Sequence, residues 1–118
     1  TVQVKTFNRA KRDENDLIVE VFKSKMVVAG SPTMGKGILH GMAGFLQLMK
    51  EMKFKNKKAA AFGCYGWSGE SVKVLNGLLA DAGFEVVSEG FKNLWNPDAE
   101  QQKAAMEFGR QIAAAGLK

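Results

Sequence analysis

The sequence predicts an α/β fold in which an open parallel sheet carries helices on both faces. Short apolar runs typical of buried strands alternate with longer segments whose apolar residues recur every three or four positions. Repeated strand-helix units require right-handed crossovers, which place helices over both faces of a parallel sheet. The chain has 118 residues, of which 46% are hydrophobic, so its length and composition indicate a single domain over residues 1–118.

The first part of the chain predicts two strands and a helix. Alternating side chains predict a short strand from Val2 to Phe7, and helical spacing follows from Asp13 to Phe22, with Asp13 as the N-cap. The continuous apolar run within Lys25 to Gly30 is typical of a strand that is buried on both faces. A loop rich in glycine and proline, Ser31 to Gly37, comes next.

The remaining elements repeat the alternation. Apolar residues at three- and four-residue spacing predict a helix over residues 39–49, and the apolar run 59–63 predicts the next strand. A helix is expected from a cap at Ser68 to a stop at Gly83, followed by a strand that begins over residues 85–87. The Asn-Pro-Asp sequence at 96–98 predicts the start of the last helix, because Asn caps and Pro lacks an N–H that would be unpaired anyway.

Charge and composition exclude several classes of protein. The net charge is +5, but its densest basic patch lies at a predicted helix end, where lysines complement the helix dipole, and no recognition motif accompanies it. We therefore expect no nucleic-acid partner. No apolar run approaches the roughly 20 residues of a membrane span, so we expect no membrane association and a cytoplasmic location. One His and one Cys are too few for an ordinary zinc or iron site, which favours an organic cofactor. The basic patch consists of Lys50, Lys53, Lys55, Lys57 and Lys58.

Two loops are the candidate functional site. In an open parallel sheet, ligands bind beyond the carboxyl ends of the strands, and two loops leave such ends: Ser31 to Gly37, and Cys64 to Gly69 within the segment Phe62 to Glu70. The second segment sets Tyr65 and Trp67 among three glycines. Aromatic faces beside exposed backbone suit a flat conjugated ring with a polar rim. The two loops together predict a flavin crevice.

Two alternatives remain open at this point. Gly30 to Lys36 has the G-x-x-x-x-G-K spacing of a phosphate-binding loop between a strand and a helix. Against it, Gly37 stands where a magnesium-binding Ser or Thr is needed, and Pro32 removes one backbone N–H from the loop. The other alternative is a non-catalytic interaction fragment, in which the glycines only ease a turn into a helix.

Three motifs carry a resemblance to a known family. Ser31-Pro32-Thr33 after an apolar strand, the run Tyr65-Gly66-Trp67-Ser68-Gly69-Glu70, and the junction Trp95-Asn96-Pro97-Asp98 resemble the flavodoxin-like domain of flavodiiron proteins, also called A-type flavoproteins. The similarity extends along nearly the whole chain. It implies a three-layer flavodoxin-like domain that binds FMN and transfers electrons, without catalytic residues of its own.

The resemblance also implies partners and site residues. In that family the domain follows a metallo-β-lactamase-like domain with a diiron centre, and the whole enzyme, an oxidoreductase, reduces dioxygen or nitric oxide. Electrons pass from FMN to the diiron site of a partner subunit in a head-to-tail dimer, so a homo-oligomer and a rubredoxin-type electron donor are expected. The residues expected to border FMN are Ser31, Pro32, Thr33, Met34, Gly35, Cys64, Tyr65, Gly66, Trp67 and Ser68.

The chain also departs from the family pattern. Relatives commonly have two asparagines where this chain has Gly35-Lys36, and Ser where it has Cys64. In the family's strand order 2-1-3-4-5, this chain starts at the second strand, so we expect an N-terminally truncated domain that lacks the first strand, the phosphate loop and the first helix. The run Met26 to Ala29 would then be an open sheet edge. We expect weak FMN binding or none by this chain alone.

Overall fold

The computed structural model describes residues 3–33, 37–38, 40–65, 70–94 and 98–116. Within these ranges the chain alternates helices with the strands of one parallel sheet, which confirms the predicted fold class. No helix in these ranges is long and apolar enough to cross a membrane. The elements are α1 (Glu14–Lys23), β1 (Met26–Gly30), α2 (His40–Met52), β2 (Lys58–Tyr65), α3 (Glu70–Asp81), β3 (Glu85–Val86), β4 (Phe91–Leu94) and α4 (Ala99–Gly116).

Strand β2 is the centre of the sheet. It pairs in parallel with β1 on one side and with both β3 and β4 on the other. Between these two pairings β2 advances three residues, from Ala59 to Phe62, while the opposite segment advances five, from Val86 to Phe91. The opposite segment therefore holds two extra residues, and β3 and β4 are two halves of one edge strand separated by a bulge.

The bulge is held in place by α3. Asn76 Nδ2 donates a hydrogen bond of 2.7 Å to the carbonyl of Glu89, and Gly90 has a φ of 101°. A Cβ at Gly90 would lie 2.3 Å from Val72 Cγ1, so glycine is required both by conformation and by space. The predicted strand at 85–87 is confirmed over its first two residues, whereas β4 lies beyond the prediction.

Three helices cover one face of the sheet. Helices α1, α2 and α3 turn their apolar stripes toward the alternate residues of β1 and β2, exemplified by Ala29, Ala59 and Ala61, which are buried. The small alanine side chains let the helices approach the sheet closely. Removal of this apolar area from water is the main favourable contribution to the fold. The large members of this core are Leu17, Ile18, Val21, Ile38, Phe45, Leu46, Met49, Phe54, Val72, Leu75, Leu79 and Phe84.

Helix α4 covers the opposite face of the sheet on the β4 side. Phe108 stacks on Phe91 with ring centroids 5.7 Å apart, and Lys58 Nζ donates to the carbonyl of Ala115 at 2.8 Å. On the β1 side of the same face, Val28 is 43% exposed and Phe62 is 46% exposed. The prediction that β1 is buried on both faces is therefore wrong, because α4 covers the second face of the sheet on the β4 side and leaves Val28 of β1 partly exposed.

The predicted strand at residues 2–7 is wrong for its described residues. Residues 3–7 belong to no strand, and Val4 is 77% exposed. An alternating pattern forms a strand only where a neighbouring strand completes its hydrogen bonds, and β1 pairs within the described ranges with β2. The segment instead lies beside α1 through the Lys5–Glu20 ion pair of 3.3 Å, and Phe7 packs against the core.

The predicted cap at Asp13 is confirmed, and the last helix starts close to the predicted place, but α4 begins at Ala99, so Asp98 takes the capping position that the sequence assigned to Asn96. Asp13 Oδ1 accepts from the amide of Asn15 at 2.7 Å. Asp98 and Gln101 form a reciprocal capping box: the Gln101 amide donates to Asp98 Oδ1 at 2.9 Å, and the Asp98 amide donates to Gln101 Oε1 at 3.0 Å. Both caps satisfy amides that have no partner within their own helix.

The basic patch has a structural role at two helix ends. Lys57 Nζ donates to the carbonyls of Phe22, at 3.2 Å, and Ser24 at the end of α1, while Lys58 reaches the last turn of α4. The prediction that lysines complement the dipole of the preceding helix is confirmed for Lys50, which lies in the last turn of α2. Lys57 and Lys58 instead reach the C-terminal ends of α1 and α4.

Candidate functional site

The first candidate loop continues alongside β2 after β1 has ended. The amide of Ser31 donates to the carbonyl of Phe62 at 3.2 Å, and the amide of Thr33 donates to the carbonyl of Cys64 at 3.0 Å. These bonds have the alternating pattern of a parallel ladder. Residues 31–33 are therefore held at a fixed position relative to the carboxyl end of β2.

The first loop also contacts the helix that follows the second loop. Thr33 Oγ1 accepts a hydrogen bond of 3.3 Å from the amide of Ser71, the second residue of α3. Gly63 lies between these segments. A Cβ at Gly63 would be 2.4 Å from the carbonyl oxygen of Ser31 and 2.5 Å from Ser71 Oγ. The backbone of β2, the first loop and the start of α3 thus meet at a position where only glycine fits.

The carboxyl end of β2 carries two of the residues predicted to border the flavin. Cys64 is an exposed free cysteine, and Tyr65 is half-buried. Both residues lie within β2, which extends two residues beyond its predicted end at Gly63. Lys92 on β4 places its Nζ 5.9 Å from the centroid of the Tyr65 ring. Such a cation over an aromatic face restricts the ring at modest energetic gain.

Half of the predicted flavin-bordering residues can be located. The structure brings Ser31, Thr33, Cys64 and Tyr65 to one edge of the sheet, with Pro32 exposed beside them. The other five lie outside the described residues and stay predictions; they are Met34, Gly35, Gly66, Trp67 and Ser68.

The described residues suit a ring better than a phosphate. The amides of Ser31 and Thr33 are already donated to β2, and Pro32 has no N–H. A phosphate-binding loop requires free backbone N–H donors. Residues 31–33 offer none. The end of β2 instead carries an aromatic ring, Tyr65, of the kind that lines sites for flat ligands. The nucleotide-binding alternative is not supported by this part of the loop.

Comparison with known proteins decides the family. A family model described as flavodoxin matches residues 1–109. The chain belongs to the flavodoxin family. An anaerobic nitric oxide reductase flavorubredoxin of Vibrio vulnificus (strain YJ016) is 42% identical over 113 residues, which are 96% of this chain and 23% of that protein. The chain is thus similar to the flavodoxin-like part of much longer proteins.

Solved structures agree with this assignment. The rubredoxin oxygen:oxidoreductase from Desulfovibrio gigas has a TM-score of 0.87 at 33% identity over 92% of this chain and 27% of that chain. The flavodiiron core of Flv1 from Synechocystis sp. PCC6803 has a TM-score of 0.88 at 26% identity over 98% of this chain and 28% of that chain. The flavodoxin fold predicted from the sequence is confirmed.

Sequence reasoning missed two residues of this flavodoxin domain. The amide of Ser71 donates a hydrogen bond to Thr33 in the first loop, and Lys92 on β4 places its ammonium group over the ring of Tyr65. Neither has a local signal, because Thr33 and Ser71 are 38 residues apart and β4 itself was not predicted. Among the described residues, no three His, Cys, Asp or Glu side chains form a group that could hold a metal ion.

Proposed function

We propose that this flavodoxin domain binds the ring system of FMN between the loop 31–37 and the segment 64–68 and serves electron transfer. The observation that carries the proposal is the meeting of residues 31–33, the carboxyl end of β2 and the start of α3 around Gly63. There the described part of the first loop bonds to β2 and Thr33 contacts α3, which supports a crevice between the loops that flank this strand end. When bound, FMN would supply one- and two-electron redox chemistry.

The roles of this chain's own residues follow from their chemistry. Tyr65 would offer an aromatic face to the ring, and Cys64 would lie beside it at the exposed end of the strand. Met34, Gly35, Gly66, Trp67 and Ser68 complete the proposed set. Lys92 holds a positive charge near Tyr65, which favours negative charge on a nearby reduced ligand.

The wider proposal concerns the protein in which such a domain works. The flavorubredoxin and flavodiiron relatives are far longer than this chain, which spans 23% of the first of them. We infer that the domain delivers electrons to a diiron centre in a separate metallo-β-lactamase-like domain, for reduction of dioxygen or nitric oxide. A rubredoxin-type donor, a homo-oligomer and a cytoplasmic location are parts of the same proposal.

A comparison of FMN with riboflavin tests the ring site directly, because the two ligands differ only in the phosphate. The sequence left open weak binding or none; the contacts around Gly63 favour weak binding, so we propose that both ligands bind weakly and with similar affinity, measured by the change in flavin fluorescence and visible absorption on titration with the purified chain. No spectral change with either ligand would contradict the proposal. Magnesium ATP should leave the unfolding temperature unchanged; a clear rise would favour the nucleotide-binding alternative instead.

A single substitution identifies the ring contact. Tyr65→Ala should weaken riboflavin binding by about tenfold, because aromatic stacking contributes roughly 1–3 kcal/mol per flat ring. The matched control is Met106→Ala, which removes an apolar side chain that is 63% exposed on α4. Equal affinities for the two variants would show that Tyr65 does not face the ligand.

A further inference from the structure

Thr33 belongs to the first wall of the proposed crevice and makes two hydrogen bonds to the elements on either side of the second loop, β2 and α3. Its backbone amide donates to the carbonyl of Cys64 at 3.0 Å, which ties the first loop to β2. Its side-chain oxygen accepts from the amide of Ser71 at 3.3 Å, which ties the same residue to α3. Because α3 follows directly after the second loop, the hydroxyl connects the end of one wall to the other.

The acceptor for the Ser71 amide comes from an unusual source. The first amides of a helix have no partner inside the helix, and the residue just before the helix commonly supplies the acceptor. Here a side chain 38 residues earlier in the sequence supplies it. The start of α3 is therefore positioned by the other loop at this amide, and the bond acts across the crevice.

The packing around this bond leaves little room for adjustment. Gly63 touches the backbone of Ser31 on one side and the side chain of Ser71 on the other, and even one added carbon atom would collide with both. Ser71 is buried. Such close packing permits only one separation between the first loop and α3. The hydrogen bond from the Ser71 amide to the Thr33 hydroxyl links these two segments.

From this geometry we propose that Thr33 is a positioning residue: its hydroxyl fixes the first loop and the start of α3 relative to each other, and thereby sets the width of the ring-binding crevice. This inference rests on the proposed function for its consequence on flavin binding. The link between the two walls is a property of the protein alone and can be tested without a ligand.

The test compares Thr33→Val, which keeps the shape and removes the hydroxyl, with Thr33→Ser, which keeps the hydroxyl. Thr6→Val is the matched control, since Thr6 is exposed. Amide hydrogen exchange at residues 33 and 71 is followed by NMR, and riboflavin affinity by fluorescence. In Thr33→Val we expect both amides to exchange about five to ten times faster, and riboflavin affinity to fall by a similar factor, as the loss of one capping bond implies.

Each outcome is decisive. Thr33→Ser and Thr6→Val should stay within about twofold of the original chain in exchange rate and affinity, a window well below the effect of a lost cap. Faster exchange at residue 71 alone would reduce Thr33 to a local cap and overturn the inference. If Thr33→Ser also raised the exchange rates at residues 33 and 71, the faster exchange would come from altered packing and not from the lost hydroxyl. The inference would then be overturned as well.

A measurement on the unsubstituted chain covers the case in which Thr33→Val does not fold. If the two walls are linked, the amides of residues 33 and 71 open together and their exchange rates rise in parallel with added urea. Separate urea dependences would overturn the link. Absence of riboflavin binding by the unsubstituted chain would contradict the proposed function and the effect on the crevice, whereas the exchange data would still decide whether the walls are joined.

Discussion

The close approach at Gly63 makes a quantitative prediction about stability. Gly63→Ala adds one carbon atom, which would lie 2.4 Å from the carbonyl oxygen of Ser31 and 2.5 Å from Ser71 Oγ. Backbone cannot rotate away as a flexible side chain can, so either the first loop must leave β2 or α3 must shift. Overpacking of this kind typically costs about 1–3 kcal/mol.

The hydrogen bonds of the first loop add to that cost. If the loop moves, the bonds from Ser31 to Phe62 and from Thr33 to Cys64 are weakened, at a net cost of about 1 kcal/mol each. We therefore expect Gly63→Ala to lower the free energy of unfolding by about 3 kcal/mol. Against a typical total of about 5–15 kcal/mol for a domain, this is a large fraction.

Urea unfolding followed by circular dichroism measures the effect. With a denaturant dependence of about 1–3 kcal/mol per molar, a loss of about 3 kcal/mol lowers the midpoint by roughly 1–3 M. Gly77→Ala is the matched control, because Gly77 lies in α3 with open space around its Cα. That variant should raise stability by up to about 1 kcal/mol, since alanine is favoured over glycine inside a helix. An unchanged midpoint for Gly63→Ala would refute the packing argument.

Two further substitutions test the helix ends. Asp98→Ala should lower the free energy of unfolding by about 1 kcal/mol, because it removes the cap of α4. The control is Asp81→Ala at the C-terminal end of α3. A carboxylate is unfavourable there, so its removal should not destabilise the protein. Lys57→Met should cost about 1 kcal/mol through loss of the charged contacts at the end of α1, with no loss for the exposed Lys55→Met. The difference in free energy of unfolding between Lys57→Met and Lys55→Met should become smaller in 1 M salt. A difference that does not depend on salt would contradict the electrostatic explanation.

Local signals in the sequence predicted much of the fold. The cap at Asp13 was recognisable because a short polar side chain before an apolar-periodic segment has one main structural use. The start of α4 was recognisable from the Asn-Pro-Asp sequence at 96–98, although Asp98 and not Asn96 supplies the cap. The apolar runs of β1 and β2 were recognisable by their length and flanking glycines. These signals act within a few residues, so they do not depend on the tertiary arrangement.

The errors arose where a neighbour in space decides the structure. Residues 3–7 alternate as a strand does, but they pair with none of the strands in the part of the chain that the structure describes. The edge strand was predicted only as β3 because a two-residue bulge interrupts it, and only the pairing register to β2 reveals its continuation as β4. The partners of Lys57 lie more than 30 residues away. No local pattern records such contacts.

The candidate site separates into two parts that affinity measurements can distinguish. Ser31 and Thr33 donate their amides to β2 and Pro32 has none, so a flavin phosphate would need donors other than these backbone groups. In the proposed function the ring would instead meet the end of β2, where Tyr65 is half-buried. The ratio of FMN to riboflavin affinity therefore measures how much of the phosphate site these 118 residues carry. A ratio near one would assign this chain the ring site alone, and a ratio of ten or more, about 1.4 kcal/mol, would require a phosphate donor set elsewhere in it.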